Sequence, residues 1–319
     1  MDDIKELCQL IHSLSRPLNP IPTNCPPELA SLHARAVIFD VYGTMLVSAA
    51  GDIGTDTGDA AAGADAHEHI FWQAIEDAGL VPSLSVSPCP SVSASHFPRV
   101  KDIRGTSILQ QLIKEEHNKK QEQGIDYPEV NILDIWRQAS AVLGIEQLDE
   151  LSLQKLALAY ELRVNPVWPM PGLKETLGTL QQRGIVLGII SNAQFYTPLI
   201  LETLLHASLP DIGFQAEFCI WSYEEGMAKP SVNLFSRLQK RLQKKNILPH
   251  EVLYVGNDML KDIWPAMHIG WKTALFAGDR RSLRWREGDE RVTGLRPRVV
   301  INDLRQLCVC LDRKYSTSS

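Results

Sequence analysis

Apolar positions follow two rhythms along this chain. Residues 2–14 place Leu7, Leu10, Ile11 and Leu14 on one helical face. The unbroken run AVIF then predicts a buried strand over 36–39. Helical spacing returns over 66–79, through Ile70, Ala74 and Ile75, and predicts further helices near 104–121, 129–143 and 152–163. From Pro166 helix and strand alternate. A helix near 172–183 leads to the strand IVLGII, and a helix near 197–206 to a short strand around 218–220. Helix 231–245 leads to VLYVG, helix 259–268 to KTALF, and PRVVI precedes a last helix over 303–311. Such alternation predicts a doubly wound parallel sheet of the α/β class.

The change of rhythm sets the expected domains. Residues 1–34 read as an N-terminal helix and a proline-rich surface linker, PLNPIPTNCPPELA. Residues 35–46 and 166–312 form the Rossmann-like core. Residues 47–165 are an all-helical insert, and 313–319 a disordered tail. Within the insert, GDIGTDTGDAAAGADA and SLSVSPCPSVSASHFP carry no periodicity and read as flexible loops. No internal repeat is visible.

Composition narrows the partners. Apolar residues make up 44%, as in ordinary globular proteins, and the formal charge of −6 gives no reason to expect nucleic acid or an anionic membrane. No apolar run approaches the roughly 20 residues of a membrane span. The acidic, amphipathic start is unlike a secretory signal, so a cytoplasmic location is expected. The six cysteines follow no framework. Cys308 and Cys310 lie two apart with no second pair to complete a zinc site, which suits reduced thiols.

Four segments carry candidate chemistry. Asp40 closes the first strand in AVIFDVYGT, where a carboxylate can attack phosphorus or cap the next segment. Gly43 permits a tight turn that lets amides of Tyr42, Gly43 and Thr44 face phosphate oxygens. Ser191 and Asn192 end the strand in LGIISNAQ and can hold a phosphoryl oxygen or cap a helix. Lys229 precedes Pro230 and either neutralises charge beside Asp40 or is simply solvated. Asp258 and Asp262, in LYVGNDMLKD, are four apart and so face one way on a helix. They either complement its dipole or, with Asp40, require a cation, for which Mg²⁺ suits hard oxygen ligands. Strand ends of such sheets converge on one crevice, which unites the four.

On these residues the chain resembles the haloacid dehalogenase-like hydrolases, over residues 36–46 and about 166–310. The resemblance implies a Rossmann-like core with a mobile cap, here the insert 47–165. It implies Asp40 as nucleophile, Ser191 as phosphate ligand and Lys229 as charge-stabilising lysine. Asp258 and Asp262 would hold Mg²⁺ together with the Asp40 carboxylate and the Tyr42 carbonyl. The expected function is a Mg²⁺-dependent phosphatase acting on a small phosphorylated substrate through an aspartyl-phosphate.

One position departs from that pattern. Phosphatases of the family carry a second Asp two residues after the nucleophile, where this chain has Tyr42. A tyrosine, with pKa near ~10, is a poor proton shuttle, which predicts slow alkyl phosphate hydrolysis. DxYGT also resembles 2-haloacid dehalogenases, the first alternative. Those enzymes need no metal acids and place an arginine soon after the first motif, whereas no Lys or Arg occurs here between Arg35 and Arg99. A weakly active binding or regulatory relative is the second.

The insert gives weaker signals. Residues 48–98 hold seven acids and no Lys or Arg, while Arg99, Lys101, Arg104 and Lys114 follow as a possible anion-steering stretch or a solvated face. His67 and His69, two apart, cannot both face inward as a substitute acid. Trp72 and Trp136 are expected to pack the insert's core.

Overall fold

Strands buried on both faces must be apolar throughout, and the runs in this sequence become exactly such strands side by side. The computed structural model describes residues 2–50, 64–80, 104–145 and 148–311. Six parallel strands form the main sheet: β1 (Ala36–Phe39), β4 (Val186–Ser191), β5 (Phe214–Trp221), β6 (Val252–Gly256), β7 (Lys272–Phe276) and β8 (Val299–Ile301). Their order is β5-β4-β1-β6-β7-β8. β1 is therefore central. Phe39 registers with Ile189 on one side and Val255 on the other. The predicted α/β doubly wound sheet is the observed one.

Two short strands were not legible: β2 (Leu46–Ser48) and β3 (Val167–Pro169) form an antiparallel ribbon. Three residues are too few to display a period of two. β5 also begins earlier than its apolar part suggests, because Gln215, Ala216 and Glu217 are exposed.

Helices flank the sheet: α6 (Leu173–Gln182), α7 (Tyr196–Leu205), α8 (Ser222–Glu225), α9 (Val232–Gln243), α10 (Trp264–His268) and α11 (Gln306–Cys310). α9 buries Leu234, Phe235, Leu238 and Leu242 against Ile38, Ile190, Phe218 and Tyr254. Each such side chain contributes roughly 1.5–3 kcal/mol of burial. The proline-rich linker also has a structural task. Glu28 pairs in both directions with Val300, covering the β8 edge, and Thr23 Oγ1 donates to Ala277 O at 2.5 Å.

These strands and helices belong to one compact unit, built from Ser15–Ile53, Ile125–Glu129 and Asn165–Ser319. The other unit takes its described residues from Met1–Leu14, Gly54–Gly124 and Val130–Val164. It holds α1 (Asp2–Leu14), α2 (Ala64–Asp77), α3 (Gly105–Glu122), α4 (Ile132–Val142) and α5 (Glu150–Val164). The N-terminal helix thus clusters with the insert's helices, and 125–129 with the sheet. Trp136 stacks on Phe71 at 5.3 Å and is buried, while Trp72 donates to Glu68 at 2.8 Å. Glu68 also caps α3, accepting from the amides of Gly105 and Thr106. His69, Arg104 and Lys114 are exposed and His67 half-buried. Arg99, Lys101, the Ser/Pro-rich stretch and the tail lie outside the described residues. No described helix is long and apolar enough to cross a membrane.

Candidate active site

Asp40, Ser191 and Asp258 sit at the carboxyl ends of the sheet's inner strands, and Lys229 lies in the loop after α8, beyond the edge strand β5. Asp40 follows β1 directly and its amide donates to Val255 O at 2.9 Å, which fixes the residue to the neighbouring strand. Ser191 is the last residue of β4, and its hydroxyl donates to Asp40 Oδ1 at 2.9 Å. Lys229 Nζ lies 2.7 Å from the same oxygen. Asp40 Oδ2 makes no hydrogen bond to any described residue. One carboxylate oxygen is anchored and the other is open.

Lys229 is buried, not solvated, with 4% exposure. Its ammonium lies 2.5 Å from Asp262 Oδ1 and 3.3 Å from Tyr254 Oη. Burial alone would lower its pKa, but Asp262 and Asp40 outweigh that and hold it above the ordinary lysine value. Asp262 is pushed up to about 7, chiefly by burial, against the pull of Lys229. Tyr254, an uncharged partner absent from the sequence reading, lies 3.1 Å from Asp262 Oδ1 and 2.9 Å from Ile190 O. A lone tyrosine inside an aliphatic strand was the available signal for it.

Asn192 faces the lysine, not the crevice. Its Oδ1 accepts from Lys229 N at 2.7 Å and its Nδ2 donates to Lys229 O at 3.4 Å. Gly43 and Thr44 also differ from expectation. Gly43 N donates to Leu46 O and Thr44 N to Val41 O, while Thr44 Oγ1 donates to Asn257 Oδ1 at 3.0 Å. Their polar groups close the turn instead of presenting a phosphate cradle. Asn257 continues the chain of contacts by donating to Ser282 O at 2.7 Å. Tyr42 is buried, and its hydroxyl lies 2.9 Å from Thr197 Oγ1.

Asp258 and Asp262 engage different partners. Asp258 is extended (φ −122°, ψ 120°) and lies outside the helix as its cap, accepting from Leu260 N and Lys261 N. A wide turn over Met259–Ile263 follows. Asp262 tucks back beneath it, and its Oδ2 accepts from Asn257 N and Asp258 N, both at 3.0 Å. The four-residue rule holds only inside a regular helix. Gly256 makes the room, since a Cβ there would stand 2.4 Å from Asp262 Cγ.

A fifth segment, outside the four motifs, also contributes. After β7 the chain pairs with the Asp258 segment, Met259 N donating to Arg284 O and Arg284 N to Asn257 O. This brings Arg286 onto Asp258, with Nη2 to Oδ2 at 2.6 Å and Nε to Oδ2 at 3.0 Å.

Asp40 and Asp258 follow neighbouring strands, and carboxylate oxygens suit a hard divalent cation. The geometry narrows the set. Both oxygens of Asp262 are committed to Lys229 and to backbone amides, so it serves the lysine. Among the described residues no three acidic, His or Cys side chains converge on one metal position. Asp40 and Asp258 are the carboxylates whose chemistry suits such an ion, and Arg286 holds both oxygens of Asp258.

Comparison with known proteins places the chain among hydrolases. The sequence pattern of haloacid dehalogenase-like hydrolases matches residues 34–270. The chain is 26% identical over 162 residues to haloacid dehalogenase-like hydrolase domain-containing protein 3 of Xenopus laevis, covering 50% of this chain and 63% of that one. It is 29% identical over 148 residues to a glyceraldehyde 3-phosphate phosphatase of Pyrococcus furiosus, covering 46% and 55%. The matches thus span less than two thirds of either relative. Among solved structures, a 2-haloacid dehalogenase from Pseudomonas syringae pv. Tomato DC3000 superposes with a TM-score of 0.49 at 18% identity, over 87% of this chain and 98% of that one.

Proposed function

The chain belongs to the haloacid dehalogenase-like hydrolase family, and from that membership we propose that it is a phosphoric monoester hydrolase acting through Asp40 on a small phosphorylated substrate. The half-anchored Asp40 carboxylate carries this reading. Oδ1 is held by Lys229 and Ser191, so the open Oδ2 is the oxygen presented for attack. The phosphatase names of relatives such as those of Pyrococcus furiosus and Halopiger xanaduensis support the substrate class.

In this mechanism Asp40 Oδ2 attacks phosphorus, and the bond to the leaving oxygen breaks with its electron pair. Lys229 stays protonated and offsets the negative charge beside the nucleophile. Water then attacks the aspartyl-phosphate and gives up a proton to solvent or to the departed oxygen; the P–Oδ2 electron pair returns to Asp40, and phosphate departs. Asp262 and Tyr254 keep the ammonium in place, and Asn192 keeps its backbone in place. Mg²⁺, held by Asp40, the Tyr42 carbonyl and Asp258, would supply neutralisation of the phosphoryl oxygens.

Tyr42 sets the preference among leaving groups. Its hydroxyl is engaged with Thr197, so no side chain at that position shuttles a proton. Aryl and acyl phosphates, whose leaving groups need little protonation, are therefore the favoured class. The same feature favours halide as a leaving group, and a 2-haloacid hydrolase is the second reading.

The test is aryl phosphate turnover with Mg²⁺ by the wild type and by Asp40→Asn. Loss of at least about 10³-fold is expected, as for removal of a nucleophile. A variant that retains near-native turnover overturns the proposal. Halide release from a 2-haloacid in chelator, without phosphate release, would install the second reading.

A further inference from the structure

The acids of the crevice are matched by two cations from the protein itself. Lys229 bridges Asp40 and Asp262. Arg286 takes Asp258, whose side chain is only 4% exposed. Both oxygens of Asp258 are used: Oδ1 accepts from Leu260 N, Lys261 N and Arg286 Nε, and Oδ2 from Arg286 Nε and Nη2. The guanidinium thus occupies the carboxylate face that a metal ion would need. Two positive groups on one buried carboxylate repel, and the oxygen lone pairs are too few for both.

Arg286 is held there by its own segment. The backbone pairing of Arg284 with Asn257 and Met259 delivers it, and its φ of +56° is a left-handed conformation costly for a side-chain-bearing residue. Its side chain remains 30% exposed, so it has solvent to move into.

We propose that Arg286 and a divalent cation compete for Asp258, so that metal binding displaces the guanidinium. This rests on the metal-assisted reading above. It makes Arg286 a built-in brake on cation affinity. It also leaves the metal-free site with two cations against its three carboxylates, where Lys229 alone would leave two of them unmatched.

The experiment measures Mn²⁺ affinity directly, by electron paramagnetic resonance of free Mn²⁺, with Mg²⁺ as competitor. Wild type is compared with Arg286→Ala, Arg286→Lys and Arg284→Gln. The last removes the same charge two residues away without touching Asp258, since Arg284 Nη1 donates to Arg281 O and Leu283 O. Arg286→Ala is expected to bind Mn²⁺ at least about tenfold tighter, the factor carried by one charge-assisted contact. Arg284→Gln should stay within about twofold, because its guanidinium is engaged with Arg281 O and Leu283 O and makes no bond to Asp258. Arg286→Lys, which keeps the charge but loses the fork, should fall between, and it decides the matter if the alanine variant does not fold. Equal or weaker binding by Arg286→Ala overturns the competition while leaving the metal reading intact, as does an equal gain in Arg284→Gln. Absence of Mn²⁺ binding in every protein overturns both.

Discussion

Asn192 holds the backbone of Lys229 from both sides, accepting from its amide at 2.7 Å and donating to its carbonyl at 3.4 Å. The loop after β4 and the loop after α8 are thereby registered to each other. Ser191, the neighbour of Asn192, and the Lys229 ammonium then meet on one oxygen of Asp40. Asn192→Ala removes both contacts and leaves a peptide group unpaired. Expected are a stability loss of about 1–3 kcal/mol and a fall in kcat exceeding any change in KM. Thermal melts and steady-state kinetics check this; unchanged kcat would make the pairing purely structural.

Lys229→Met leaves Asp40 and Asp262 buried without their counter-ion. Breaking such a pair costs about 3–5 kcal/mol. The cost should depend on pH. Burial already pushes the Asp262 carboxyl well above the usual carboxylate range, and the variant loses the amine that pulls it down. Its folded value is then raised further above the unfolded one. The folded variant binds the extra proton more readily, so its stability falls as pH rises through that raised value. The penalty relative to wild type should be smaller at pH 5 than at pH 8. Denaturant melts at the two pH values measure it, and a pH-independent penalty would contradict the assigned cause.

Tyr42→Phe removes the hydroxyl paired with Thr197. If that hydroxyl only packs and bonds, turnover of aryl phosphate should stay within about threefold and stability should drop by about 1 kcal/mol. A loss of 10² or more, about the smallest share of a general acid, would show that Tyr42 moves a proton.

Gly43 lies at φ +78°, and a Cβ there would stand 2.5 Å from Ser282 Cβ. Gly43→Ala therefore combines backbone strain with overlap against a buried residue. A destabilisation above about 2 kcal/mol is expected. A melting temperature near wild type would mean that the Ser282 loop yields easily.

The sheet and the reactive strand ends were legible because a strand buried on both faces must be apolar, and AVIF, VLGIIS and VLYVG stand out from their surroundings. Asp40, Ser191 and Lys229 were brought together as read. What escaped depends on contacts without a local signature. Arg286 reaches Asp258 across 28 residues through a loop pairing that no spacing announces. Tyr254 looks like any strand aromatic until Lys229 and Asp262 are placed around it. The different partners of Asp258 and Asp262 follow from a wide turn, which periodicity reads as ordinary helix. Asn192, Gly43 and Thr44 carry the right polar groups, but the chain consumes them internally, and composition cannot tell an engaged amide from an open one.

The position of Lys229 after the outermost strand, with Asp40 on an inner one, has an effect on imperfect molecules. β5 has a strand neighbour on one side only, β4, whereas β1 has one on each side, and local opening spares the most enclosed strands longest. A copy that begins to come apart there parts with its ammonium while its nucleophile is still seated between β4 and β6. Damaged copies of this protein should thus fall silent early, well before their centre gives way.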